Sequence, residues 1–83
     1  MPKQRTRRGS AVSSSLRQKF ARHLRRLREQ NNWSLRQMAE RSGISLTRLW
    51  NYEQGNHSPN LVALVKMARA FGVPLSKFVK SLE

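Results

Sequence analysis

The sequence predicts an all-α fold, one compact domain of five short helices. Three observations carry this expectation. Apolar residues recur at helical spacings of three and four along most of the chain. Each periodic stretch is bracketed by residues that start or stop helices. No run alternates apolar and polar residues with the period of a strand. At 83 residues the chain allows one core of modest stability.

Residues 1–14 hold Lys3, Arg5, Arg7 and Arg8 with almost nothing apolar. Such a segment does not offset its ordering entropy, so a disordered basic tail is expected there, with the domain over residues 15–83. Leu16, Phe20, Leu24 and Leu27 then follow at spacings of 4, 4 and 3, on one helical face. Arg17, Arg22, Arg25 and Arg26 take the opposite face, and His23 is expected at the surface beside them. The first helix is therefore expected over Leu16–Gln30, with Asn31 and Asn32 ending it.

Ser34-Leu35-Arg36-Gln37 has the S-x-x-Q spacing of a capping box, with Trp33 and Met38 placed as a hydrophobic staple. The second helix is expected over Leu35–Ser42, stopped by Gly43 in a left-handed conformation. Ser45 caps the third helix, and Ile44 can pack on Leu49. That helix runs to about Gln54, and Gly55 ends it. After the loop Asn56-His57-Ser58-Pro59, Asn60 caps a fourth helix with Leu61, Leu64, Val65, Ala68 and Phe71 as its apolar stripe, up to Gly72. Pro74 opens a short fifth helix that buries Leu75, Phe78 and Val79. Leu24, Leu27, Met38, Leu49, Leu64 and Phe71 are the expected core.

Composition narrows the function. Seventeen Lys and Arg stand against four acidic residues, for a formal charge of +13. A surface this basic calls for a polyanion, with nucleic acid the first candidate. Without cysteine there are no disulfides or thiolate metal sites. His23, His57, Glu29, Glu40, Glu53 and Glu83 cannot supply an H-E-x-x-H motif or a working carboxylate pair, and no glycine-rich phosphate loop occurs. No catalysis, metal or cofactor is expected. No segment approaches the ~20 apolar residues of a membrane span. The acid-free, Arg- and Ser-rich residues 1–28 also have the composition of a transit peptide. Their later part is needed for the core, which favours a basic arm running into a helix.

The segment Leu35–Tyr52 carries the functional signal. Two short helices joined by a tight glycine turn fit a helix-turn-helix. Ala39 is small where the helices would cross, Gly43 supplies the turn, and Leu49 points back to the core. Ser45, Leu46, Thr47, Asn51 and Gln54 are left on another face. A helix of this kind enters the ~12 Å major groove with its N-terminal part near the base edges.

The chain resembles the Cro/C1 class of helix-turn-helix proteins, also called the XRE family. The resemblance runs from about Phe20 to Val79. It is carried by Leu24-Arg25-Arg26-Leu27-Arg28, Trp33-Ser34, Met38-Ala39-Glu40, Ser42-Gly43-Ile44-Ser45, Leu49 and Tyr52-Glu53-Gln54-Gly55. It continues through Ser58-Pro59-Asn60-Leu61, Leu64, Met67 to Leu75, and Phe78. The resemblance implies a five-helix, lambda-repressor-like domain and sequence-specific binding of double-stranded DNA. It implies an ion pair between Arg28 and Glu53. Ser45, Leu46, Thr47, Arg48 and Asn51 match positions that touch bases or adjacent phosphates, and Gln54, Asn56 and His57 match a loop on the sugar-phosphate backbone. Asn51 suits adenine, while Leu46 and the Thr47 methyl suit thymine methyls.

Two positions depart from the pattern. Leu35 stands where the family often has a phosphate- or base-binding glutamine, so Arg36 is the expected substitute. Trp50 stands where smaller or polar residues are common, and either touches DNA or a partner, or packs onto the domain. The implied function is a cytoplasmic transcriptional regulator of bacterial or phage DNA, a repressor or operon controller. It would bind a palindromic operator as a homodimer, with the fifth helix as interface and Trp50, Val73, Val79 and Leu82 as exposed apolar candidates. The alternative is an antitoxin that binds DNA and a toxin protein. A non-specific architectural or RNA-binding protein is the third reading. The basic tail is expected along phosphates or in a minor groove.

Overall fold

The computed structural model describes the backbone of residues 2–80 and the side chains of residues 15–80. Five helices follow in order: α1 (Pro2–Gln30), α2 (Leu35–Ser42), α3 (Leu46–Glu53), α4 (Leu61–Phe71) and α5 (Leu75–Lys80). No strand occurs among the described residues. α1 begins at Pro2, well ahead of the Leu16 start expected from the apolar periodicity. Proline suits a first helical position, where its missing N–H has no intrahelical partner to lose. The side chains expected to form a basic tail over residues 1–14 lie outside the described residues.

Local chemistry sets the remaining boundaries. α1 gives way at Asn32, whose φ of 58° is tolerated by its short polar side chain. At α2 the capping box is closed in both directions: Ser34 Oγ accepts from the Gln37 amide at 3.1 Å, and Gln37 Oε1 accepts from the Ser34 amide at 2.8 Å. Gly43 then turns left-handed at φ 75° and donates its N–H to Ala39 O. Ser45 Oγ caps α3 by accepting from the Arg48 amide at 3.2 Å. Asn60 caps α4 through the Ala63 amide at 2.8 Å. Pro74 stands just before α5, with its carbonyl accepting from the Phe78 amide.

The core is built from every helix. Leu24 of α1, Met38 of α2, Leu49 of α3, Met67 of α4 and Phe78 of α5 are all but fully buried. Leu27, Leu64 and Phe71 are partly buried against this cluster. Phe20 meets Tyr52 and Phe78 edge-on, with ring centroids 6.2 and 6.4 Å apart. Trp33 stacks on Phe71 at 5.3 Å, and the Arg41 guanidinium lies 4.9 Å from the Trp33 ring.

Three placements differ from the periodic reading. Leu16 is exposed, although it continues the apolar spacing of α1, because it lies beyond Phe20, the first buried residue of that helix among those described. In α4 the buried positions are Ala63, Met67 and Ala68, so the helix is rotated from the expected phase and leaves Leu61 and Val62 exposed. Val73, Leu75 and Val79 are partly buried against the chain's own core, which removes much of the apolar surface expected of α5 as an interface. Leu82 lies outside the described residues.

His23 also departs from its expected surface position. Its ring lies 5.5 Å from that of Phe78. Burial lowers its pKa below the ordinary value of 6.5; a hydrogen bond with the Phe78 backbone opposes this, and the Arg26 charge adds to it. The unfolded chain therefore binds this proton at a higher pH than the folded one. His23 contributes no penalty above about pH 6.5 and costs stability as the pH falls below that value through the folded pKa. Urea midpoints at pH 7 and pH 5 should differ more for the wild-type chain than for His23→Gln. Equal differences would show that His23 does not carry this dependence.

Candidate nucleic-acid interface

α2, the Gly43 turn and α3 form a unit in which one face is buried and the other is open. Along α3, Leu49, Tyr52 and Glu53 point inward. Ser45, Leu46, Thr47, Arg48 and Trp50 are exposed, and Gln54 continues the exposed surface at the helix end. Trp50 is 49% exposed, so of its alternative placements the packed one is only half satisfied. Leu46 is 42% exposed. Neither α2 nor α3 has an acidic residue in its first turn, so the positive partial charge at each N-terminus is not neutralised locally.

The other candidates take differing positions. Arg36 is exposed on α2. Leu35 beside it is partly buried against the core rather than presented to a ligand. The first turn of α2 thus rotates Leu35 inward and leaves Arg36 as the exposed residue beside it. Asn51 is half-buried. Its Nδ2 donates to Thr47 O at 3.0 Å, and its Oδ1 accepts from Asn56 Nδ2 at 3.2 Å. A side-chain amide has two N–H donors and two acceptor sites, so one of each is still available. Asn56 and His57 are exposed in the loop after α3.

An ion-pair cluster seats the end of α3 on α1. Arg28 Nε donates to Glu53 Oε2 at 2.6 Å, and Arg28 Nη2 donates to Glu53 Oε1 at 3.0 Å. Arg28 Nη1 donates to Trp33 O at 2.8 Å. The Glu53 side chain is 3% exposed and that of Arg28 15%. Hydrogen bonding to Glu53 raises the Arg28 pKa above its ordinary value, opposed by desolvation and aided by the charges of Glu53 and Glu29.

Sequence reasoning missed the residues that complete this seat. Arg25 Nε stands 3.5 Å from Glu53 Oε1 as a second, more exposed partner. The signal was available, since Arg25 precedes Arg28 by one helical turn. Arg17 Nε donates to Gly55 O at 3.2 Å, although Arg17 was placed on a solvated face. Gly55 is buried at φ 75°, and a Cβ built there would lie 2.7 Å from Gln18 Nε2. The positive φ is what calls for glycine here, since the Gln18 amide sits at the end of a flexible side chain that can move aside.

The fold and this two-helix unit define a helix-turn-helix domain. A family model described as a helix-turn-helix domain, HTH_31, matches residues 19–77, and the chain belongs to this family, of the XRE type. It is 39% identical over 56 residues to the HTH-type transcriptional regulator SutR of Escherichia coli (strain K12), covering 68% of this chain and 32% of SutR. The cryptic phage CTXphi transcriptional repressor RstR of Vibrio cholerae is 30% identical over 64 residues, or 77% of this chain and 58% of RstR. Among solved structures, an HTH_3 family transcriptional regulator from Vibrio cholerae superposes with a TM-score of 0.76 at 28% identity, covering 83% of this chain and 39% of that one. The chain spans less than two thirds of the length of each of these relatives.

Among the described residues no helix is long and apolar enough to cross a membrane. Nor do these residues hold a group of three or more His, Asp or Glu side chains placed to bind a metal ion.

Proposed function

We propose that this chain is a double-stranded DNA-binding transcriptional regulator whose α3 enters the major groove. The observation that carries the reading is the open N-terminal half of α3. Ser45, Leu46, Thr47 and Arg48 are exposed in succession, while Leu49, Tyr52 and Glu53 fix the helix from behind. The named relatives are transcriptional regulators, one of them a repressor, which supports the same reading. In this reading Leu46, Thr47 and Trp50 meet bases or sugars, and Arg36, Arg48, Gln54, Asn56 and His57 anchor phosphates. A homodimer on a palindromic operator, acting as a repressor, is the finer form of the proposal.

The test is selection of bound sequences from random duplex DNA at physiological salt. An enriched palindrome supports sequence-specific binding by a two-fold dimer. No enrichment refutes specific regulation, and a toxin co-purifying with the chain would favour the antitoxin reading. On the selected site, Asn51→Ala is expected to relax discrimination at one base pair by ~1–3 kcal/mol. The amide sites left open beside Thr47 and Asn56 suit the N7 and N6 groups of adenine. A uniform loss across all sequences would place Asn51 on the backbone instead.

A further inference from the structure

A groove of about 530 Å³ runs between α1 and the end of α3. Gln18, Arg22, Arg25, Arg26 and Glu29 line it from α1, and Gln54 closes it from α3. Gln18, Arg22, Arg25 and Glu29 follow at spacings of 4, 3 and 4, with Arg26 four positions after Arg22, so they form one stripe along that helix. Glu53 also borders the groove, but its charge is matched by Arg28. The three arginines thus face Glu29 as the remaining acid of the lining. Among the described residues, no ion pair involves Arg22 or Arg26.

We propose that this stripe is a second phosphate track, which binds the DNA backbone flanking the base pairs read by α3. The proposal rests on the regulator reading above. Gln54 provides the continuity: it lies three positions after Asn51 and seven after Thr47, and it is also the groove's wall. A strand leaving the recognition face past Gln54 meets Arg22 and Arg26 next. The lining also favours DNA over an acidic protein. Protein interfaces are anchored by buried aromatic and apolar groups, whereas among the described residues Ala21 is the only apolar one lining the groove. Protein–DNA interfaces are polar and strongly positive, which is the character found here.

The experiment compares two duplexes carrying the selected site, one trimmed to the recognised base pairs and one with native-length flanks. Affinity is measured against salt for the wild-type chain and for Arg22→Gln/Arg26→Gln, with Arg25 kept because it touches Glu53. On the long duplex the variant's slope of log affinity against log salt is expected to be shallower by about 1.8, at about 0.9 per phosphate contact. From 50 to 200 mM salt the wild-type chain should therefore lose about twelvefold more affinity than the variant. On the short duplex the two should coincide, and the ranking of base sequences should not change. Arg22→Lys/Arg26→Lys should restore the slope, which separates charge from misfolding. An unchanged slope on the long duplex overturns the proposal, as does an equal loss on both lengths. Failure of the wild-type chain to bind either duplex would overturn the regulator reading itself, and this track with it.

Discussion

Arg28→Ala is expected to destabilise the domain by about 3 kcal/mol, the loss typical of removing one partner from a buried pair. Three hydrogen bonds go with the guanidinium, two to Glu53 and one to the Trp33 carbonyl. The Glu53 carboxylate, 3% exposed in the intact domain, is left with only Arg25 at 3.5 Å to face it. Arg25 is a poor substitute, because its side chain is 48% exposed and water screens it. A chain of this length has about 4–12 kcal/mol of stability in total, so the thermal midpoint should fall by roughly 15 °C. Replacing both partners with apolar residues, as in Arg28→Met/Glu53→Leu, should recover most of the loss, since no buried charge is then unpaired. A thermal melt of Arg28→Ala within about 5 °C of wild type would show that water reaches Glu53.

Leu49→Ala should cost a similar amount, about 3 kcal/mol. Leu49 is fully buried and belongs to the same cluster as Met38, Ile44 and Met67. Truncation removes the transfer free energy of the deleted carbons and opens a cavity that the surrounding helices only partly close. Leu49→Met, which conserves volume, should stay within about 1.5 kcal/mol of wild type. The difference between the two variants in urea unfolding checks the argument. Equal midpoints would mean that the core collapses around the smaller side chain.

Boundaries fixed by local chemistry could be read from the sequence. Ser34, Gln37, Gly43, Ser45, Asn60 and Gly72 announce the ends of α2, α3 and α4, because capping needs only neighbours within a few residues. What depends on packing was less legible. Leu61 and Leu64 fit an apolar stripe as well as Ala63 and Met67 do, and only the seat of α4 on its neighbours decides between them. His23 looked solvated from its basic neighbours, yet Phe78, distant in sequence, covers its ring. Arg25 was marked only by its one-turn spacing from Arg28, and among so many arginines nothing local marked the contact of Arg17 with Gly55. On α3, the exposure of Ser45 to Arg48 followed from the placement of Leu49. The inward turn of Leu35 did not, because the resemblance fixes its position on α2 and not its rotation.

The division of labour along α3 bears on how such a protein can be rewritten. Its inward residues hold the domain together, and its outward ones take no part in the core. Thr47 and Arg48 are therefore free to vary with little effect on folding, since surface changes away from caps and networks usually stay within about 0.5 kcal/mol, whereas Leu46 and Trp50, at 42% and 49% exposure, also contribute some packing. Under the DNA-reading role proposed for α3, libraries randomised at Leu46, Thr47, Arg48 and Trp50 are expected to select different duplex sequences.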